Sequence, residues 1–136
     1  MDEKKYQKKL IANDQQGLAL ISALLNSCKV KVSDMKYLPS NKIFLLSVRR
    51  SKIEDEKNSK EVNSICRVDY VSKVKSKNID QSEPNKDLEL LAIDLFKREH
   101  NFEITLLFSE NRFITLTSEI VEAVLEDQKI ENDKSN

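Results

Sequence analysis

The 136-residue sequence contains one glycine, one histidine, two prolines, two cysteines and no tryptophan. A single glycine, Gly17, leaves no material for the glycine-rich loops that cradle phosphates. A single histidine, His100, is too few for a histidine-based metal centre, which gathers several His, Cys or carboxylate side chains at ligand spacing. Cys28 and Cys66 lie far apart without a CxxC pattern. Two isolated thiols, with no apolar export segment in the opening MDEKKYQKKL, point to a reducing cytoplasm rather than a disulfide framework. No apolar run approaches the roughly 18 residues of a membrane span. Net charge is absent too: 23 basic side chains balance 23 acidic ones, so no global field pulls the chain toward nucleic acid or an acidic membrane.

What is present is a chain of ordinary single-domain length, 39% apolar and 34% charged. A chain of this size buries roughly two thirds of its extended surface and needs no metal or disulfide to fold. The first nine residues are lysine-rich and read as a flexible N-terminus, residues 10–127 as one domain, and residues 128–136, QKIENDKSN, as a disordered tail.

The centre of the pattern is residues 30–50, VKVSDMKYLPSNKIFLLSVRR. Two strand-like runs flank a turn at residues 39–42, where the fixed φ of Pro39 suits position i+1. In the second run, Phe44/Leu46/Val48 and Ile43/Leu45 are both apolar sets, the signature of a strand covered on both faces. Upstream, residues 10–12 read as a short edge strand. Asn13 reads as a helix cap with Gln16 completing a capping box, and Leu18, Ile21 and Leu25 share one helical face.

Downstream, residues 51–63 are charged and poor in apolar side chains and read as a flexible loop. Residues 65–75 alternate, with Cys66, Val68, Tyr70 and Val74 on one face and Arg67, Asp69, Val71, Lys73 and Lys75 on the other. Residues 88–96, 102–108 and 113–116 give three more strands, the last two joined by a turn in which Asn111 suits the left-handed conformation. Ser118 or Thr117 then reads as the cap of a final helix running to Asp127, with Ile120, Val121, Val124 and Leu125 as its apolar stripe. The expected fold class is α+β: a strongly bent antiparallel sheet or partial barrel with an N-terminal and a C-terminal helix, an element order analogous to the pleckstrin-homology-like barrel.

Four stretches carry a family resemblance: GLALISALL (residues 17–25), KVSDMKYLP (31–39), VKSKNIDQSEP (74–84) with LELLAI (88–93), and ITLLF…ITL…IVEAVLED between Ile104 and Asp127. In their order and spacing they resemble the DUF-2948 family of uncharacterised bacterial proteins, associated with alphaproteobacteria. The likeness spans roughly residues 10–127. It implies kinship and no established activity. Residues 51–63 depart from that picture, in which an aromatic segment follows the central strand.

Three groups are candidates for function. The first is a basic strand face of Arg67, Lys73, Lys75 and Lys77, extended by Arg49 and Arg50, since side chains two apart in a strand share a side. Such a face suits an anion or an acidic partner surface; its plainer role is to keep an exposed sheet soluble. With Tyr70 on the opposite face, no aromatic stacking platform accompanies the cations, which counts against nucleic acid. The second is the loop at residues 76–84, with Asp80 and Ser82 near Lys77, whose residues are also ordinary turn formers. The third pairs Asp34 with Tyr37 as an acid–base group, or, more plainly, as a local backbone hydrogen bond and a packed ring. Asp34, Tyr37 and Asp80 together would line a pocket in a small-molecule or anion-binding reading. Glu119, Glu122 and Glu126 fall on one side of the expected final helix.

No catalytic, metal-binding or cofactor-binding residue is assigned and no cofactor is expected. The leading expectation is a non-enzymatic interaction or accessory module with a protein partner. A small-molecule or anion-binding domain, even an enzyme using Asp, Tyr and Lys, is the alternative. Nucleic acid comes third, and no membrane is expected. The oligomeric state is open between monomer and dimer, with unpaired edges near Leu10 or Phe113 available for a second copy.

Overall fold

In the computed structural model, residues 9–53 and 59–128 are described. The expected flexible N-terminus at 1–9 and the tail at 128–136 therefore fall almost wholly outside the described residues. The elements run as strand β1 (Lys9–Ala12), helix α1 (Gln15–Leu25), β2 (Cys28–Lys31), a 3-10 turn (Val32–Asp34), β3 (Met35–Leu38), β4 (Ile43–Ile53), β5 (Ser59–Val68), β6 (Val71–Lys77), β7 (Asp87–Lys97), β8 (Phe102–Phe108), β9 (Arg112–Ser118) and β10 (Ala123–Asp127). All ten strands join one antiparallel sheet in the order β1-β10-β5-β4-β2-β7-β8-β9-β6, with β3 paired to β4 beside β2.

Helix α1 forms where its pattern places it. Asp14 caps it, accepting a hydrogen bond from the Gly17 amide at 2.8 Å, one residue later than the expected cap at Asn13. Leu18, Ile21 and Leu25 are buried. The helix leans on β7: the Ser22 hydroxyl accepts from the Ile93 amide at 2.9 Å, and Asn26 Nδ2 donates to the Leu91 carbonyl at 2.8 Å. Those contacts sit where the β7–β8 register shifts between Leu90 and Ala92. A bulge there leaves backbone groups that the helix side chains satisfy.

One face of the sheet is the core. Phe44, Leu46 and Val48 of β4 lie there with Cys66 and Val68 of β5, Ala123 and Leu125 of β10, Leu88 and Leu90 of β7, Ile104, Leu106 and Phe108 of β8, and Ile114 and Leu116 of β9, all buried. The second apolar set of β4, Ile43 and Leu45, points outward and stays half-buried. The turn after β3 closes as expected, with the Asn41 amide donating to Leu38 and Lys42 in the left-handed region at φ 57°. The β8–β9 turn is a three-residue loop, 109–111, between the paired Phe108 and Arg112, and it places both Glu110 and Asn111 at positive φ.

Three expectations are overturned. The C-terminal helix is absent: residues 112–118 continue as β9, and residues 123–127 form β10 between β1 and β5. The segment AVLED satisfies a strand as well as a helix, because Ala123, Leu125 and Asp127 share the inner face while Val124 looks outward. Two open strand edges supply backbone partners that a short, isolated helical turn lacks. The molecule is thus mostly antiparallel sheet with one α-helix among the described residues, and the pleckstrin-homology-like order, which needs a terminal helix, does not describe it.

Next, residues 51–63 are not a loop throughout. Strands β4 and β5 pair continuously from Phe44↔Val68 to Ile53↔Ser59, so strand structure covers residues 51–53 and 59–63, while residues 54–58 fall outside the described residues. A long antiparallel hairpin gains its bonds from the backbone, which polar side chains do not prevent.

Finally, the strand expected at 65–75 breaks at Asp69 and Tyr70. Tyr70 takes φ 62° and is exposed, and Val71 is buried. The corner sends β6 to the far end of the sheet, six places from β5 in strand order.

Candidate functional site

That corner decides the fate of the basic face. The six cations expected on it separate into two groups, according to which strand carries them and what each meets.

Arg50 is no part of any outer face. It points inward, and its Nη2 donates to both carboxylate oxygens of Asp127, at 2.6 and 2.8 Å, while its Nε donates to Ser64 Oγ at 3.1 Å. The Ser64 hydroxyl donates in turn to Asp127 Oδ1 at 2.6 Å. All three residues are buried. A charged pair so placed is held by its mutual attraction and by the serine, and neither charge is available to a ligand. Arg49 points outward but is engaged by Asp87, whose carboxylate Lys31 also approaches at 3.6 Å. The Arg49 guanidinium holds the Asp87 carboxyl below its ordinary range, with Lys31 adding to the effect. Arg67, outward on β5, donates through Nε to Asp69 at 3.0 Å.

The three lysines remain. Lys73, Lys75 and Lys77 face Thr117, Thr115 and Phe113 of β9 in register, so all three project from the outer surface. All are exposed, and none forms an ion pair with a described residue. Strand β6 is the last in the sheet order, so among the described residues no strand lies beside its far edge. Near its start, the Val71 amide donates to Lys42 O at 2.8 Å and the Val71 carbonyl accepts from the Tyr37 hydroxyl at 2.8 Å. Beyond Val71 the strand is open: Ser72, Lys73, Lys75, Ser76 and Lys77 are all exposed.

The inner side of β6 is less well covered than the sheet centre. Val74 packs on the core yet remains half-buried, and Ser76, in register with the buried Ile114, is exposed. One surface of this edge is cationic and the other is partly closed apolar core.

Two of the Asp34, Tyr37 and Asp80 trio have their side-chain polar groups engaged. Tyr37 is spent on Val71. Asp80 Oδ1 accepts from the Ser82 amide at 2.9 Å and from the Ser82 hydroxyl at 2.7 Å, and these bonds hold the Asp80 carboxyl below its ordinary range. Asp34 ends the 3-10 turn, half-buried. Loop 78–86 is stitched to that turn by Ser33 N to Pro84 O at 2.9 Å and Val32 N to Lys86 O at 3.0 Å. A shallow concavity of about 410 Å³ is lined instead by Asn41, Lys42, Ile43, Asp69, Tyr70 and Glu119. The acids expected along a final helix also disperse. Glu119 reaches Lys42 at 3.7 Å, Glu126 is exposed on β10, and Asp127 is in the buried cluster.

Neither thiol has a partner for nucleophilic chemistry. Cys28 and Cys66 are free and buried. Burial pushes the Cys66 thiol up to about 12, and raises Cys28 against the opposing charge of Arg50. A thiol so shifted is protonated at neutral pH and a poor nucleophile. Among the described residues no group of three or more His, Cys, Asp or Glu could hold a metal ion, and no helix is long and apolar enough to cross a membrane.

The family described as protein of unknown function (DUF2948) matches residues 8–135, nearly the whole chain, and the chain belongs to that family. No curated protein and no solved structure matches it.

Proposed function

We propose that this member of the DUF2948 family is a non-enzymatic interaction module, whose contact surface is the outer face of β6 and β9 centred on Lys73, Lys75 and Lys77. The observation that supports this reading is the lysine column itself. Three cations stand at successive outward positions of one strand without an ion pair to any described residue, while Arg49, Arg50 and Arg67 each have one. Uncompensated like charges in a row repel one another. The column relaxes when an acidic surface meets it, and the encounter is steered by charge. The partner on this reading is a protein.

The test is a comparison of three tagged proteins on cell extract: the wild type, the variant K73E/K75E/K77E, and the variant K29E/K36E/K97E, which carries the same charge change at other exposed lysines. All three are first checked for folding by circular dichroism. The expected result is a co-purifying protein held by the wild type and the second variant and lost from the first. Retention of the same protein by K73E/K75E/K77E overturns the assignment of the surface.

A further inference from the structure

We propose that the occupant of the β6 edge is an extended segment in which acidic and apolar side chains alternate, added to the sheet as an eleventh strand. This deepens the reading above and rests on it. Three observations converge on β6. Its outer edge carries backbone donors and acceptors with no strand of the described residues beside them beyond Val71, and an unpaired edge is a template for another chain. Its outer side chains are the three unpaired lysines. Its inner side is where core cover runs thin, at the half-buried Val74 and the exposed Ser76.

A strand laid along β6 has side chains that alternate between these two surfaces. On the outer surface they meet Lys73, Lys75 and Lys77 as cross-strand neighbours, where opposite charge is favoured and like charge is not. On the inner surface they extend the row Leu95–Ile104–Leu116–Val74, where an apolar side chain removes half-exposed carbon from water. The pattern acidic–apolar–acidic–apolar–acidic follows from those two demands together. Main-chain bonds supply attraction and the alternate side chains supply selection, the general logic of strand addition.

The same column sets which partner is refused. A second copy of this chain offering its own β6 would bring lysine against lysine, so self-pairing at this edge is opposed while an acidic segment is admitted. The other free edges are less suited. Strands β1 and β3 have four residues each against seven in β6.

The test uses the full chain and a synthetic peptide of alternating Glu and Val, capped at both ends, with two further peptides N-methylated at one or the other alternate set of amides, each blocking one edge, and a fourth carrying Lys in place of Glu. Affinity is read by calorimetry and the site by amide hydrogen exchange. The expected result is binding of the Glu peptide with slowed exchange at amides within residues 72–77, at least tenfold weaker binding to K73E/K75E/K77E, loss on N-methylation of one of the two alternate sets, and binding of the Lys peptide by that variant. Binding that survives N-methylation of either alternate set but is lost in K73E/K75E/K77E overturns strand addition and leaves the lysine surface standing. Binding that is indifferent to the lysines overturns both. No binding of the Glu peptide at millimolar concentration overturns strand addition.

Discussion

Gly17 sits in the first turn of α1, where glycine weakens a helix by about 1 kcal/mol relative to alanine. Its place is explained by Ala12. A Cβ added at Gly17 would lie 2.9 Å from Ala12 Cβ, 3.0 Å from Ala12 Cα and 3.2 Å from Asp14 Oδ1. The two nearest obstacles are the Cβ and Cα of Ala12, held rigidly in β1, which is itself pinned by four pairs to β10. Gly17→Ala is therefore expected to destabilise the fold by about 1–3 kcal/mol despite its better helix propensity, the cost of forcing atoms into a packed seam. Urea denaturation measures it, and a gain in stability would show that the helix can lift off the strand. Elsewhere the chain turns corners without glycine. Ser27, Lys42, Tyr70, Asn78, Glu110 and Asn111 all take positive φ, a conformation uncommon for side-chain-bearing residues. This is why the corner at Tyr70 was illegible. A tyrosine inside an alternating run gives no sign that the run ends there, whereas Asn111, a residue type that tolerates the left-handed region, was legible as a turn.

At the scale of elements, the Arg50–Ser64–Asp127 cluster joins three strands, β4, β5 and β10, through one buried ion pair. Removing one partner leaves the other charge uncompensated in the core, at a cost of about 3–5 kcal/mol, whereas replacing both with apolar side chains of similar volume is often neutral or stabilising. Asp127→Ala is thus expected to destabilise by that amount and R50M/D127L by much less, as read by thermal unfolding. Equal losses from the single and double variants would mean that the packing at this seam, not the charge, is what matters. The pair also explains what was misread. Arg50 and Asp127 are separated by 77 residues, and Arg49 and Asp87 by 38. Spacing along the chain places two side chains on one face of one strand, as it did for Lys73, Lys75 and Lys77. It carries no information on a partner delivered by a distant strand. The same limit hid β10, because a five-residue segment with three apolar side chains becomes a strand only when two open edges await it.

For the whole molecule, the helix, the central strand and the β8–β9 hairpin were legible because each is specified within about a dozen residues. The sheet order was not, since it depends on which edges remain free after local pairing. Its consequence reaches back to the assembly of the chain. The strand next to β1 is β10, and β10 also borders β5. During synthesis, β1 and α1 emerge first and wait without their sheet neighbour until residues 123–127 have left the ribosome. Domains of this kind, whose closing contacts are the most distant in sequence, gather themselves late. A chain ended at residue 118 is expected to expose β1 and the edge of β5, so that limited proteolysis cuts near residues 9–12 and within β5, which the full chain protects; equal protection in both would mean that β10 is an ornament. The final strand acts as a keystone, and the protein remains an open arch until that strand is set.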